Sequence, residues 1–168
     1  MKRALVLLAA VLAGGIGGAL FGGPATTPIT LRPTDPVAPS RVAVADARPG
    51  RPKPEVIGDW FGRAIILADG LTVCGMVADA VGKTLPDARV ELKTFWIAAE
   101  FKGGKAPVPM IVGRLRIKII HGAKNQEITS AGQCTGQQPT DDDFRMVLDD
   151  LLSAIKGTTA MMQQTGEL

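Results

Sequence analysis

Two stretches of alternating side chains restrict this chain more than any other feature of its sequence. In Met110–Ile120, MIVGRLRIKII, Ile111, Leu115, Ile117 and Ile119 fall on one side and Arg114, Arg116 and Lys118 on the other. A strand with one face in a core needs that period of two, because successive side chains point to opposite sides of a sheet. Ala88–Ala99, ARVELKTFWIAA, repeats the pattern. Ala88, Val90, Leu92, Thr94, Trp96 and Ala98 share one face, and Arg89, Glu91 and Lys93 open the other, which turns apolar at Phe95 and Ile97. We take this as the central strand. Gln126–Thr135 supplies a third, with Ile128, Ser130, Gly132 and Cys134 in one register. Short connections make the three an antiparallel meander with one buried face.

Two helices accompany the strands. In residues 71–85, LTVCGMVADAVGKTL, Cys74, Val77, Val81 and Leu85 recur at helical intervals, and Pro86 ends the run. Thr140 followed by Asp143 is a capping-box variant, and Asp141–Asp143 place negative charge where a helix dipole favours it. Phe144, Val147, Leu148, Leu151 and Ile155 form the apolar stripe, Gly157 is the expected stop, and residues 158–168 are read as a flexible tail. The expected fold class is α+β: an antiparallel three- to four-stranded sheet with two helices packed on one face, in a globular domain at 55–157.

The N-terminal third has a different composition. Residues 1–23 carry Lys2 and Arg3 before an apolar run and a glycine-rich end, the layout of a secretory signal peptide. Residues 4–21 are also just long enough to span a bilayer, so an uncleaved membrane anchor stays open beside it. Both readings export the chain to the periplasm, soluble after cleavage or held in the inner membrane. Eight of the twelve prolines lie in residues 24–54, which reads as a linker carrying one short strand at 41–47.

The formal charge of +3 shrinks once Lys2 and Arg3 are set aside, leaving 17 basic against 16 acidic residues. Nothing in that balance points to nucleic acid. An exported chain with two cysteines is expected to be oxidised, and Cys74 and Cys134 both fall on inward registers, so a disulfide between them is expected. Arg114, Arg116 and Lys118, joined by Arg89 and Lys93, form either a docking face for an acidic partner or lipid headgroup, or a solvated face paired with acids such as Glu91. His121 is the only histidine and has no nucleophile motif beside it. Trp60 and Phe61 are read as covering the edge of the core. No catalytic residue, cofactor site or metal site is expected.

The motifs VAVADARP, IGDWFGRAIIL, ARVELKTFWI and DDFRMVLDDLLSAIK, spread over residues 41–156, resemble the YajG-type lipoproteins and the ABC-transport auxiliary lipoproteins of the Gram-negative envelope. The resemblance implies a small α+β domain and a non-enzymatic role in envelope assembly or lipid transport. Those proteins carry an acylated cysteine, and here no cysteine lies near the apolar run. The expected function is an envelope accessory or scaffold protein that binds a partner, an envelope protein complex or lipid. A periplasmic carrier using apolar space between helices and sheet is the alternative.

Overall fold

The computed structural model describes residues 27–50, 52–103, 108–135 and 139–167. In chain order these form β1 (Ile29–Leu31), β2 (Ala43–Asp46), β3 (Val56–Trp60), β4 (Arg63–Leu67), α1 (Val73–Gly82), β5 (Arg89–Lys102), β6 (Val108–His121), β7 (Lys124–Thr135) and α2 (Asp141–Thr165). Among the described residues, seven strands make one sheet in the order β1-β4-β3-β5-β6-β7, with β2 also paired to β5. The meander β5–β6–β7 is antiparallel throughout, as the alternation predicts. The sheet as a whole is mixed and larger than expected, because β1–β4, β2–β5 and β3–β5 pair in parallel.

The central strand is where expected, but its faces are not. Its register against β6 shifts between Leu92 and Thr94. An extra residue in a strand swaps the sides of everything that follows it. Val90 and Leu92 point into the core before the shift, and Phe95 and Ile97 after it. Thr94, Trp96 and Ala98, expected on the inward face with Leu92, lie on the opposite one. The apolar turn at Phe95 and Ile97 was the visible trace of this bulge.

Both helices are fixed by local chemistry at their ends. Thr72 caps α1, its hydroxyl accepting from the Gly75 N–H at 3.0 Å. Thr140 and Asp143 close the expected capping box on α2. Asp143 accepts from the Thr140 N–H at 2.7 Å, which with the Thr140 hydroxyl holds its carboxyl below the ordinary range. The predicted stripe Phe144, Val147, Leu148, Leu151 and Ile155 is buried. The helix does not stop at Gly157. It runs on to Thr165 and ends on Gly166, whose φ of 72° is the left-handed geometry of a C-terminal cap. Burial of Thr159 and Met162 one and two turns further on outweighs the roughly 1 kcal/mol that an exposed mid-helix glycine costs. The expected flexible tail is therefore mostly the last two turns of α2.

The proline-rich stretch is also more than a linker. It holds β1, with Ile29 and Leu31 buried against the core, as well as the expected strand, seen as β2. Between them the chain is fastened to α2. The Thr34 N–H and hydroxyl donate to the two Asp149 carboxylate oxygens at 3.0 and 2.6 Å, and Lys156 Nζ reaches Asp35 at 2.7 Å. Proline forbids helix here but not the edge strand and strap that the chain forms. The expected signal peptide or anchor at 1–23 lies outside the described residues. Among the described residues no helix is long and apolar enough to cross a membrane.

Helix α2 comes unusually close to the sheet over Gly113, which pairs with Gly132 on β7. A Cβ at Gly113 would stand 2.6 Å from Val147 Cγ1 and 3.0 Å from Leu151 Cδ1. Both of those residues are fully buried and have no free direction to move. Gly113→Ala is expected to destabilise the fold by about 1–3 kcal/mol, the cost of overpacking a close-packed core. Urea unfolding would show it as a lowered midpoint at an unchanged slope.

Candidate binding face

Because the helices cover one side of the meander, the other side of β5, β6 and β7 is bare. Alternation puts Trp96 and Ala98 of β5, Met110 and Val112 of β6, and Ala131 of β7 on it. Trp96 is directly opposite Arg114 and Ala98 opposite Val112. Met110 and Val112 are nonetheless largely buried, and they stand apart from the continuous core on the helix side. The bare face thus has an apolar centre of its own.

Two hollows run across it. One, of about 470 Å³, is walled by Pro49 and Pro52 on one side and by Thr94, Trp96 and Arg114 on the other. The second, of about 600 Å³, lies between Thr94, Val112, Arg116, Thr129 and Ala131. They share Thr94 and Arg114, so the two form one shallow trough.

The wall of the first hollow depends on Arg48, which the sequence reading passed over. Its guanidinium is bound to both Asp46 carboxylate oxygens, at 2.7–3.1 Å, and Nη1 donates to the Val56 carbonyl at 3.1 Å. Arg48 is only 4% exposed although it carries a full charge. The pair ties the end of β2 to β3 and holds the proline loop between them against the sheet. The Arg48 hydrogen bonds keep the Asp46 carboxyl below its ordinary value, against a smaller opposing effect of burial. An Asp two residues before an Arg at a strand end, ahead of prolines, was the signal available in VAVADARP.

The five basic residues singled out from the sequence are brought together on the bare face, interleaved with acids. Arg114 pairs with Glu100, and Arg116 with Glu127. Lys93 stands 3.9 Å from both Glu91 and Glu127. The register places Lys118 between Glu91 and Glu127. Arg89 is exposed at the start of β5. The hydrogen bond from Arg116 is the main reason that the Glu127 carboxyl sits below its usual range, and it raises Arg116 in turn. The row is a charge-compensated border around the trough.

The cysteines do not meet. Both thiols are free. Cys74, at the start of α1, lies in the field of Asp46 and Arg48, whereas Cys134 donates to Asp143 Oδ1 at 3.5 Å. Asp46 is level with Leu92 on β5, and Cys134 is level, through Ile111, with Ala99. Seven residues of strand separate those levels, about 20 Å. Helix α1 does cover the sheet, but at the other end from Cys134. Burial is the first cause pushing both thiols above their ordinary value, which leaves them protonated at neutral pH and weak as nucleophiles. His121 is half-buried at the last position of β6, next to the turn into β7. Trp60 covers the core edge as expected, edge-on to Phe144 at 5.2 Å, but Phe61 points outward.

These elements define a mixed α+β domain with one bare, charge-bordered sheet face. No protein-family profile matches the chain, and no curated protein matches it. Solved structures similar to it include a Xanthomonas campestris protein assigned to the DUF330 family, at 14% identity over 86% of this chain and 98% of that one, with a TM-score of 0.45. A minor lipoprotein from Acinetobacter baumannii is similar at 9% identity over 75% of this chain and 96% of that one, with a TM-score of 0.39.

Two outcomes follow from this geometry. Alkylation of the denatured protein without reductant should add two labels per chain, read by intact mass, and an absence of label would restore the disulfide. Asp46→Ala should cost about 3 kcal/mol, the low end for a buried ion pair because Asp46 keeps part of its surface in water. The folded value of Asp46 lies below the unfolded one, so its contribution is complete above about pH 4 and is lost as pH falls through the lowered folded value. Melting temperature should drop on acidification below about pH 4, and Asp46→Asn should flatten that drop.

Proposed function

We propose that this chain is a non-enzymatic accessory protein of the cell envelope that works by holding a partner protein on the bare face of β5–β7. The observation that carries this reading is the partly exposed Trp96 on that face, which with the buried Met110 and Val112 is separate from the core and bordered by ion pairs. A hydrophobic centre with a polar rim is the usual build of a protein interface. The neutralised border favours a partner of mixed charge over nucleic acid. Export, from the character of residues 1–23, puts the partner in the periplasm. The YajG-type and ABC-transport auxiliary lipoproteins that the motifs resemble give the nearest class of role, without their lipid-bearing cysteine.

A ligand carrier is the second reading, and the trough beside Trp96 is what favours it. The site differs from the carrier site expected from the sequence. Between sheet and helices, Val147 and Leu151 press on Gly113, whereas the hollows lie on the opposite side.

The test is a photo-activated cross-linking residue at Thr129 or Arg116 on the bare face, with Ser153 on exposed α2 as the control, in cells making the full chain. A discrete protein adduct from the bare face alone, lost in Trp96→Ala, is the expected result. Equal labelling from α2, or no protein adduct from the face, would remove the proposal. Lipid-sized adducts in place of protein would select the carrier.

A further inference from the structure

At one end of the sheet the hairpin between β3 and β4 turns on Phe61 and Gly62, whose φ values of 48° and 85° are both positive. Two such residues in a row follow the pattern of a type I′ turn, for which Asn-Gly is the favoured pair. Among the described residues Phe61 is the only one other than glycine with positive φ. A bulky aromatic is strained there, and its burial does not compensate, since Phe61 is 56% exposed. It leans on Phe101, itself 61% exposed near the end of β5, with ring centres 5.4 Å apart. Val108, opposite Lys102 at the start of β6, is also exposed but falls in the register of the bare face, away from these rings. Behind the tip, Trp60 stands edge-on to Phe61 at 4.8 Å and to Phe144 at 5.2 Å, so the projecting rings are braced from the core.

The described chain begins at this same end. Arg63, the residue after the turn, donates from Nε to the Thr27 carbonyl at 3.2 Å. The apolar run at 4–21 therefore ends six residues before a point fixed to the base of the Phe61 hairpin. Six residues span at most about 20 Å. Where that run stays on the chain and enters a bilayer, the base of the hairpin is held within about 20 Å of it.

We propose that the Phe61–Phe101 tip rests in the interfacial zone of a lipid bilayer, the one entered by residues 4–21. The tip is a turn that presents two exposed aromatic rings. A bilayer closes around such a projection, and aromatic rings favour its headgroup level. A partner protein would need a matching hollow and a much larger surface. The residues flanking the tip in sequence carry both signs, Asp59, Arg63, Glu100 and Lys102, so the contact does not select headgroup charge. The inference is independent of what the bare face holds.

The test is amide hydrogen exchange on the full chain, in phosphatidylcholine vesicles and in detergent. Exchange at residues 59–63 and 100–103 should slow several-fold in vesicles, while the β6–β7 turn at 121–124, at the opposite end of the meander, should not change. Phe61→Asn and Phe101→Ser should each abolish most of that slowing. Phe61→Asn should do so without lowering the melting temperature, because asparagine suits the turn. Unchanged exchange at the tip, slowing that survives both substitutions, or a lower melting temperature for Phe61→Asn would each overturn the proposal. The last result would mean that Phe61 is there to hold the turn.

Discussion

The backbone of β5 gives one edge entirely to β6 and divides the other between β2, along Arg89–Leu92, and β3, at Ile97 and Ala98. A strand of ordinary length, five or six residues, could not serve three neighbours. Fourteen can, and the bulge after Leu92 lets the strand change its inward face partway along. The two halves of the molecule meet on that one backbone. β2 and α1 are assembled against its first half, and the β3–β4 hairpin against its second. The meander that carries the bare face is hydrogen-bonded to β2 and β3 through β5.

What the sequence showed of this was whatever a single element could show alone. The faces of β6, the register of Ile128, Ser130, Gly132 and Cys134, and the capping box at Thr140 are local patterns, and each is present. The parallel pairings could not be read in the same way. β1 has three residues, too short for periodicity to register, and although a strand at 41–47 was expected, what β1, β2 and β3 pair with is decided by contacts far along the chain. The length of α2 was misread for a related reason. Gly157 looks like a stop because of its poor propensity, yet the packing of Thr159 and Met162 beyond it is a tertiary fact. The cysteine pairing failed on distance along β5. Two inward-facing residues on a long sheet share a core without being neighbours.

The candidate site was half legible. Its cations were found by alternation, and pairing with acids such as Glu91 was one of the two readings; which acids pair was set by cross-strand register, Glu100 with Arg114 and Glu127 with Arg116. Its apolar centre was hidden by the bulge, which moved Trp96 out of the core. Arg48 was hidden by its surroundings, since a charged residue among prolines reads as solvated. Cross-strand pairing and a one-residue insertion, neither visible within a window, turn an apparently basic face into an amphipathic one.

The strap between β1 and β2 has a mechanical reading. Tension applied to the chain ahead of Thr27 first loads the three residue pairs that join β1 to β4. Behind them stand Asp149, gripping Thr34 through two hydrogen bonds, and Lys156, gripping Asp35. Both fastenings are anchored to the same rigid helix. Thr34 and Asp35 are adjacent, so the two grips act as one clasp that takes the load once β1 parts from β4. The chain is thus buckled to α2 directly behind β1, so a pull from the N-terminal side bears on the helix through that one clasp.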